Sequence, residues 1–141
     1  MADNDFENTI ATDLEALNKM APYAGLLGIA LTHVSATEVR GQMRVRRDLT
    51  NDTPNVHGGA IMSLADTLGA VGAFLNIPES AAGTTTIESK TNFIKLAMVD
   101  DTLHAVSRPL SVGRRLSVWQ TDITRDDGQR VAQVTQTQIY L

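Results

Sequence analysis

A chain of 141 residues with 12 Lys and Arg against 16 Asp and Glu carries a formal net charge of −4 and no basic block, which argues against a nucleic acid partner. It contains no cysteine, so disulfides, thiol nucleophiles and sulfur metal sites are excluded, and a reducing, cytoplasmic setting is expected. The length suits one domain spanning 1–141, large enough to bury roughly 70% of the surface its unfolded form would expose.

Met1 to Glu7 is acidic and lacks the basic start and apolar run of a secretory signal, so it is expected to stay attached. Ile10, Leu14, Leu17 and Ala21 follow helical spacing and predict a short helix ending near Pro22, making residues 1–22 a covering segment. A strand is expected from Leu27 to Val34. A second runs from Val39 to Arg47, where Val39, Met43 and Val45 alternate with Arg40, Gln42, Arg44 and Arg46.

The stretch from His57 to Ile77 is apolar or small all round, and Asp66 is its one formally charged residue. This pattern predicts a helix buried on every side. Its glycines, Ser63 and Thr67 make it too polar for a membrane span. After Pro78, strands are expected over 84–97, 102–110, 115–124 and 130–140, separated by short turns at Asp100-Asp101, Gly113 and Asp126-Asp127-Gly128. No repeat or linker divides the chain. The order predicts an α+β domain, a mostly antiparallel sheet of about six strands curled around one long helix, with a short N-terminal helix.

An ionised carboxylate is costly to bury without partners, so Asp66 requires an explanation. Two readings stand evenly: a cap or closed ion pair with an Arg such as Arg114, or an active-site base or nucleophile. Asn51, His57, Gly58 and Gly59 precede the helix. The paired glycines would let a substrate reach the free N–H groups of the first turn, whose dipole could polarise a carbonyl. The plainer reading of the glycines is a tight turn or close packing.

The three histidines, His33, His57 and His104, lack metal-ligand spacing, so no metal is expected. Ser63 lacks the Gly-x-Ser-x-Gly elbow, which rules out a Ser-His-Asp hydrolase. Arg108, Arg114 and Arg115 could clamp phosphates or form a solvated strand edge. Phe93, Trp119 and Tyr140 could line an acyl pocket or fill the core.

The run Asn51-Asp52-Thr53-Pro54-Asn55-Val56-His57-Gly58-Gly59, followed by Leu64-Ala65-Asp66-Thr67, resembles the signature of phenylacetate-pathway-type (PaaI-like) acyl-CoA thioesterases. These belong to the hot-dog, or 4-hydroxybenzoyl-CoA thioesterase, superfamily. The likeness extends into Thr86 to Phe93 and Val112-Gly113-Arg114-Arg115.

The resemblance implies hydrolysis of acyl-CoA to free acid and CoA, without a cofactor. It places the general base or nucleophile on Asp66, the amide donor on Gly58 and the water-orienting amide on Asn51. Thr86 falls where a hydroxyl hydrogen-bonds the carboxylate or water, and His57 shapes the helix entry. Gly59, Thr67, Arg114 and Arg115 would contact the substrate, a small free acyl-CoA with an aryl-acetyl or medium-chain group.

Two departures from the pattern stand out. Ile94-Lys95-Leu96-Ala97 lacks the Pro that relatives usually place before the Ala, and Ala70 replaces a Thr found in a branch with a catalytic Glu. The second favours the Asp-bearing branch.

Gly58 and Asp66 would lie about 12 Å apart on one helix, too far for one carbonyl to touch both. The expected assembly is therefore at least a homodimer, and the resemblance implies a dimer of dimers. Each site would join Asn51 and Gly58 of one subunit to Asp66 and Thr86 of its partner. The rival functions are a non-catalytic acyl-CoA-binding module and a hot-dog hydratase or dehydratase. Neither the extra domain usual for the first nor the Asp-His or His-Glu motif of the second is present.

Overall fold

The structure is a computed structural model and describes Glu15, Asn18, Lys19 and residues 21–141. Ile10, Leu14 and Leu17, on which the N-terminal helix was expected, lie outside the described residues. Glu15, Asn18 and Lys19 are helical.

Ala21 is outside a helix, and Pro22, near which the first helix was expected to end, begins a new one. α1 spans Pro22–Leu27 with Pro22 in its first turn, where its missing N–H costs nothing, and Gly28 closes it in the left-handed conformation (φ 75°). The strand expected from Leu27 therefore starts at Ala30.

β1 (Ala30–Val34) and β2 (Val39–Arg44) form a hairpin. The alternation in β2 buries Val39, Gly41 and Met43 and exposes Arg40, Gln42 and Arg44. A 3-10 turn at Arg47–Leu49 leads to α2, which spans Gly58–Phe74. The remaining strands are β3 (Thr84–Phe93), β4 (Thr102–Val112), β5 (Leu116–Thr124) and β6 (Arg130–Tyr140).

All six strands form one antiparallel sheet in the order β1-β2-β4-β5-β6-β3. The last four strands do not simply follow one another across it. β3 crosses to the far edge and pairs with β6, so the sheet curls around α2 with β3 hydrogen-bonded on one side only.

Leu64, Ala65 and Leu68 of α2 are fully buried against Met43, Leu103, Ile123 and Val134 of the sheet. The sheet comes close enough that glycine is required on the helix. A Cβ at Gly72 would lie 2.4 Å from the Trp119 ring, and one at Gly69 would lie 2.4 Å from the Gln136 amide.

The expectation that α2 is buried on every side is not met within one chain. Met62 and Phe74 are exposed, and Gly59, Ser63, Thr67 and Ala70 are half-buried, forming a stripe at helical spacing along the face turned from the sheet, with half-buried Asp66 on its flank. An apolar sequence marks which residues shun water, but not whether their own chain covers them.

Candidate active site

Asp66 sits midway along α2 with its carboxylate turned toward the β3 edge of the sheet. Its Oδ1 accepts a hydrogen bond from Thr86 Oγ1 at 2.7 Å and a longer one from Gln136 Nε2 at 3.4 Å. Thr86 Oγ1 in turn accepts from Gln138 Nε2 at 2.6 Å. No ion pair among the described residues includes Asp66. The ion pair with Arg114 is thereby discarded: that guanidinium is exposed in the β4–β5 turn. Between Thr86 and Glu88 the β3–β6 register shifts, which leaves Ile87 unpaired and 55% exposed.

The start of α2 is a second centre. His57 is its N-cap, and its Nδ1 accepts from the Gly59 N–H at 2.8 Å, so Nδ1 carries no proton while that bond is made. Ala60 N–H donates to the His57 carbonyl. The Gly58 N–H has no partner among the described residues, leaving it the open donor of the first turn.

A cavity of about 280 Å³ opens beside it, lined by Val56, Gly58, Ile61, Phe93, Ile94 and Leu96 among others. A Cβ at Gly58 would press on the Phe93 ring at 3.1 Å. The segment that departs from the family pattern thus forms one wall, held by bonds from Val56 N–H to the Ala97 carbonyl and from Ile94 N–H to the Val131 carbonyl. Asn51 is exposed on the preceding loop, its Oδ1 accepting from Thr53 N–H at 2.8 Å and Thr53 Oγ1 at 2.6 Å.

The thioesterase superfamily model matches residues 53–132, which contain Asp66, Thr86 and the start of α2. The chain belongs to the thioesterase superfamily. It is a thioester hydrolase with the hot-dog fold. It is 30% identical over 118 residues to the 1,4-dihydroxy-2-naphthoyl-CoA hydrolase of Escherichia coli (strain K12), covering 82% of this chain and 85% of that protein.

The E. coli PaaI protein from the phenylacetic acid degradation operon superposes with a TM-score of 0.84 at 20% identity, covering 96% of this chain and 95% of that one. The smu.793 protein of Streptococcus mutans, solved bound to acetyl-CoA, superposes with a TM-score of 0.74 at 23% identity and covers 80% and 88% of the two chains.

In this thioesterase the residues singled out from sequence separate into groups. Asp66 and Thr86 meet; His57, Gly58 and Gly59 form the helix start, while Asn51 stays on the preceding loop, bonded to Thr53 and Asn55. Thr67 spends its hydrogen on the Ser63 carbonyl at 2.7 Å. Arg114 and Arg115 are exposed at the end of the sheet where Ser117, Gln138 and Thr86 form a cross-strand row. Arg108 is drawn instead to Glu38 at 2.7 Å.

Of the three aromatics, Phe93 alone lines the cavity. Trp119 and Tyr140 pack with Ala73 in the core, with Trp119 Nε1 donating to Ser117 Oγ at 3.0 Å. Gln136 and Gln138 were missed. Their signal was present: they occupy consecutive inward positions of β6, between Val134 and Tyr140, where the alternation calls for apolar side chains.

No helix among the described residues is long and apolar enough to cross a membrane.

Proposed function

We propose that this thioesterase hydrolyses acyl-CoA, with Asp66 as the reacting carboxylate and the Gly58 N–H polarising the thioester carbonyl. Asp66 Oδ2 either deprotonates a water that attacks the carbonyl carbon or attacks it directly, giving a mixed anhydride that water then cleaves. In both routes CoA leaves as its thiol. Asn51, whose Nδ2 has no partner among the described residues, is the candidate to orient the water.

The observation that carries the reading is a half-buried carboxylate held through one oxygen by Thr86, with no ion-pair partner among the described residues. The CoA portion of the substrate is supported by the likeness to the E. coli hydrolase, which acts on a CoA thioester.

Gly58 and Asp66, eight residues apart on α2, lie about 12 Å apart along the helix axis. A shared dimeric site removes this obstacle, with Asn51 and Gly58 of one subunit facing Asp66 and Thr86 of the partner. The exposed stripe of α2 and the single-sided edge of β3 are the surfaces such an assembly would cover.

Asp66→Asn keeps the shape and removes the basic oxygen. It is expected to lower kcat at least about 100-fold on a panel running from acetyl-CoA to octanoyl-CoA and phenylacetyl-CoA, with the circular dichroism unchanged. Thiol release followed with a thiol-reactive dye reads the rate. Near-wild-type turnover by the variant would remove Asp66 from the chemistry.

A further inference from the structure

Two buried amides lie behind the Asp66 carboxylate, and the reaction proposed above uses neither. Gln138 is fully buried and Gln136 is 1% exposed. A primary amide is costly to desolvate, and an apolar side chain of similar shape would serve a core position at least as well. What Gln138 contributes is direction.

A hydroxyl has one hydrogen to give. Gln138 Nε2 donates to Thr86 Oγ1 at 2.6 Å, so that oxygen's lone pair faces Gln138 and its hydrogen is left for Asp66 Oδ1 at 2.7 Å. With the amide reversed, the Gln138 carbonyl would claim that hydrogen and Thr86 would present a lone pair to a carboxylate. The Asp66 carboxylate favours the observed sense, since it needs the Thr86 hydrogen; on the far side of Gln138 the Thr84 hydroxyl, 3.4 Å from Oε1, lies nearer the Ile139 carbonyl at 3.1 Å.

Gln136, lying flat over Gly69, adds its own N–H to the same carboxylate oxygen at 3.4 Å. Oδ1 is thus taken twice, and Oδ2 accepts no hydrogen bond from the described residues.

We propose that Gln138 is a positioning residue of this thioesterase, acting through Thr86 to fix the rotation of the Asp66 carboxylate so that Oδ2 is the oxygen presented to water or thioester. The proposal rests on the assignment of the chemistry to Asp66. A role through Thr86 also has a signature that core packing lacks: it vanishes when the Thr86 hydroxyl is gone.

The test is a double-mutant cycle on the full chain, using phenylacetyl-CoA or the panel member turned over fastest. Gln138→Met keeps the length and removes the amide, and is expected to lower kcat about 10-fold with KM changed less than about 2-fold. Thr86→Val is expected to lower kcat by at least as much, and the double variant to be no slower than Thr86→Val alone.

If Gln138→Met does not fold, Gln138→Leu replaces it: it removes the amide without burying a charge, and the same loss of kcat is expected. Asp66→Asn runs alongside as the control. If it is inactive while Gln138→Met keeps kcat within about 2-fold of wild type, or while the two single losses multiply in the double variant, the positioning role is overturned and the Asp66 chemistry stands. Full activity of Asp66→Asn overturns both.

Discussion

Gly72→Ala tests the packing that sets α2 on the sheet. The added Cβ would lie 2.4 Å from Trp119 Cζ3 and 2.5 Å from Cη2, whereas carbon atoms in contact sit about 3.5–4.0 Å apart. The overlap exceeds about 1 Å, against a fully buried and rigid ring. Overpacking of this kind costs about 1–3 kcal/mol, and two clashes with one indole place it near the top of that range.

Alanine in a helix interior returns about 1 kcal/mol relative to glycine, leaving a net loss of about 2 kcal/mol. For 141 residues the unfolding entropy is about 0.3 kcal/mol/K, so Tm should fall about 7 °C. Gly25→Ala in α1 is the opposite case: nothing lies within 4 Å of the new methyl, and Tm should rise about 2–3 °C. Trp119 is the single tryptophan, so thermal unfolding read by intrinsic fluorescence reports from the contact itself. If Gly72→Ala were stabilised as much as Gly25→Ala, the close approach of α2 to β5 would be wrong.

Two further outcomes are expected. Asp66→Asn and Asn51→Ala subunits, unfolded together and refolded, should regain roughly 25% of wild-type activity, because half of randomly paired dimers are mixed and each mixed dimer carries one intact site. If mixed dimers form and stay as inactive as their parents, the shared site is refuted.

Glu38 should contribute to acid sensitivity. The hydrogen bond from Arg40 chiefly, opposed by partial burial and helped by Arg108, holds its carboxyl below the usual value of 4.5. A folded-state pKa below the unfolded one gives stability that is complete above the unfolded value and lost as pH falls through the folded one. The Tm gap between wild type and Glu38→Gln should therefore be constant near neutrality and close in acid.

Much of the architecture was legible because local pattern and burial agree. Val39, Met43 and Val45 alternate with charged neighbours and face the core, and the stretch around Asp66 is a helix. The break near Pro22 was legible but the second helix it opens was not, because the ring that cannot sit in a helix interior suits a helix start and only the following residues show that a new helix begins. The crossing of β3 to the far edge could not be read, since a strand's own alternation says nothing about its neighbour.

At the site, Asp66, Gly58 and Thr86 stood out by charge, by paired glycines and by resemblance. Gln136 and Gln138 did not, because glutamine is unremarkable on a strand until its register shows it pointing inward.

The register shift beside Thr86 lies on the one long strand that a lone chain leaves half-bonded. Edge strands open at lower free energy than strands held on both sides, so the hydroxyl that steadies Asp66 rides on one of the softer parts of the sheet. Whatever covers that edge would stiffen the carboxylate's support as well. Were that cover the partner of the proposed dimer, turnover would depend on how crowded the molecules are with their own kind: dilution would loosen the chemistry before it unfolded the chain, and an apparent loss of catalytic power would be a loss of company.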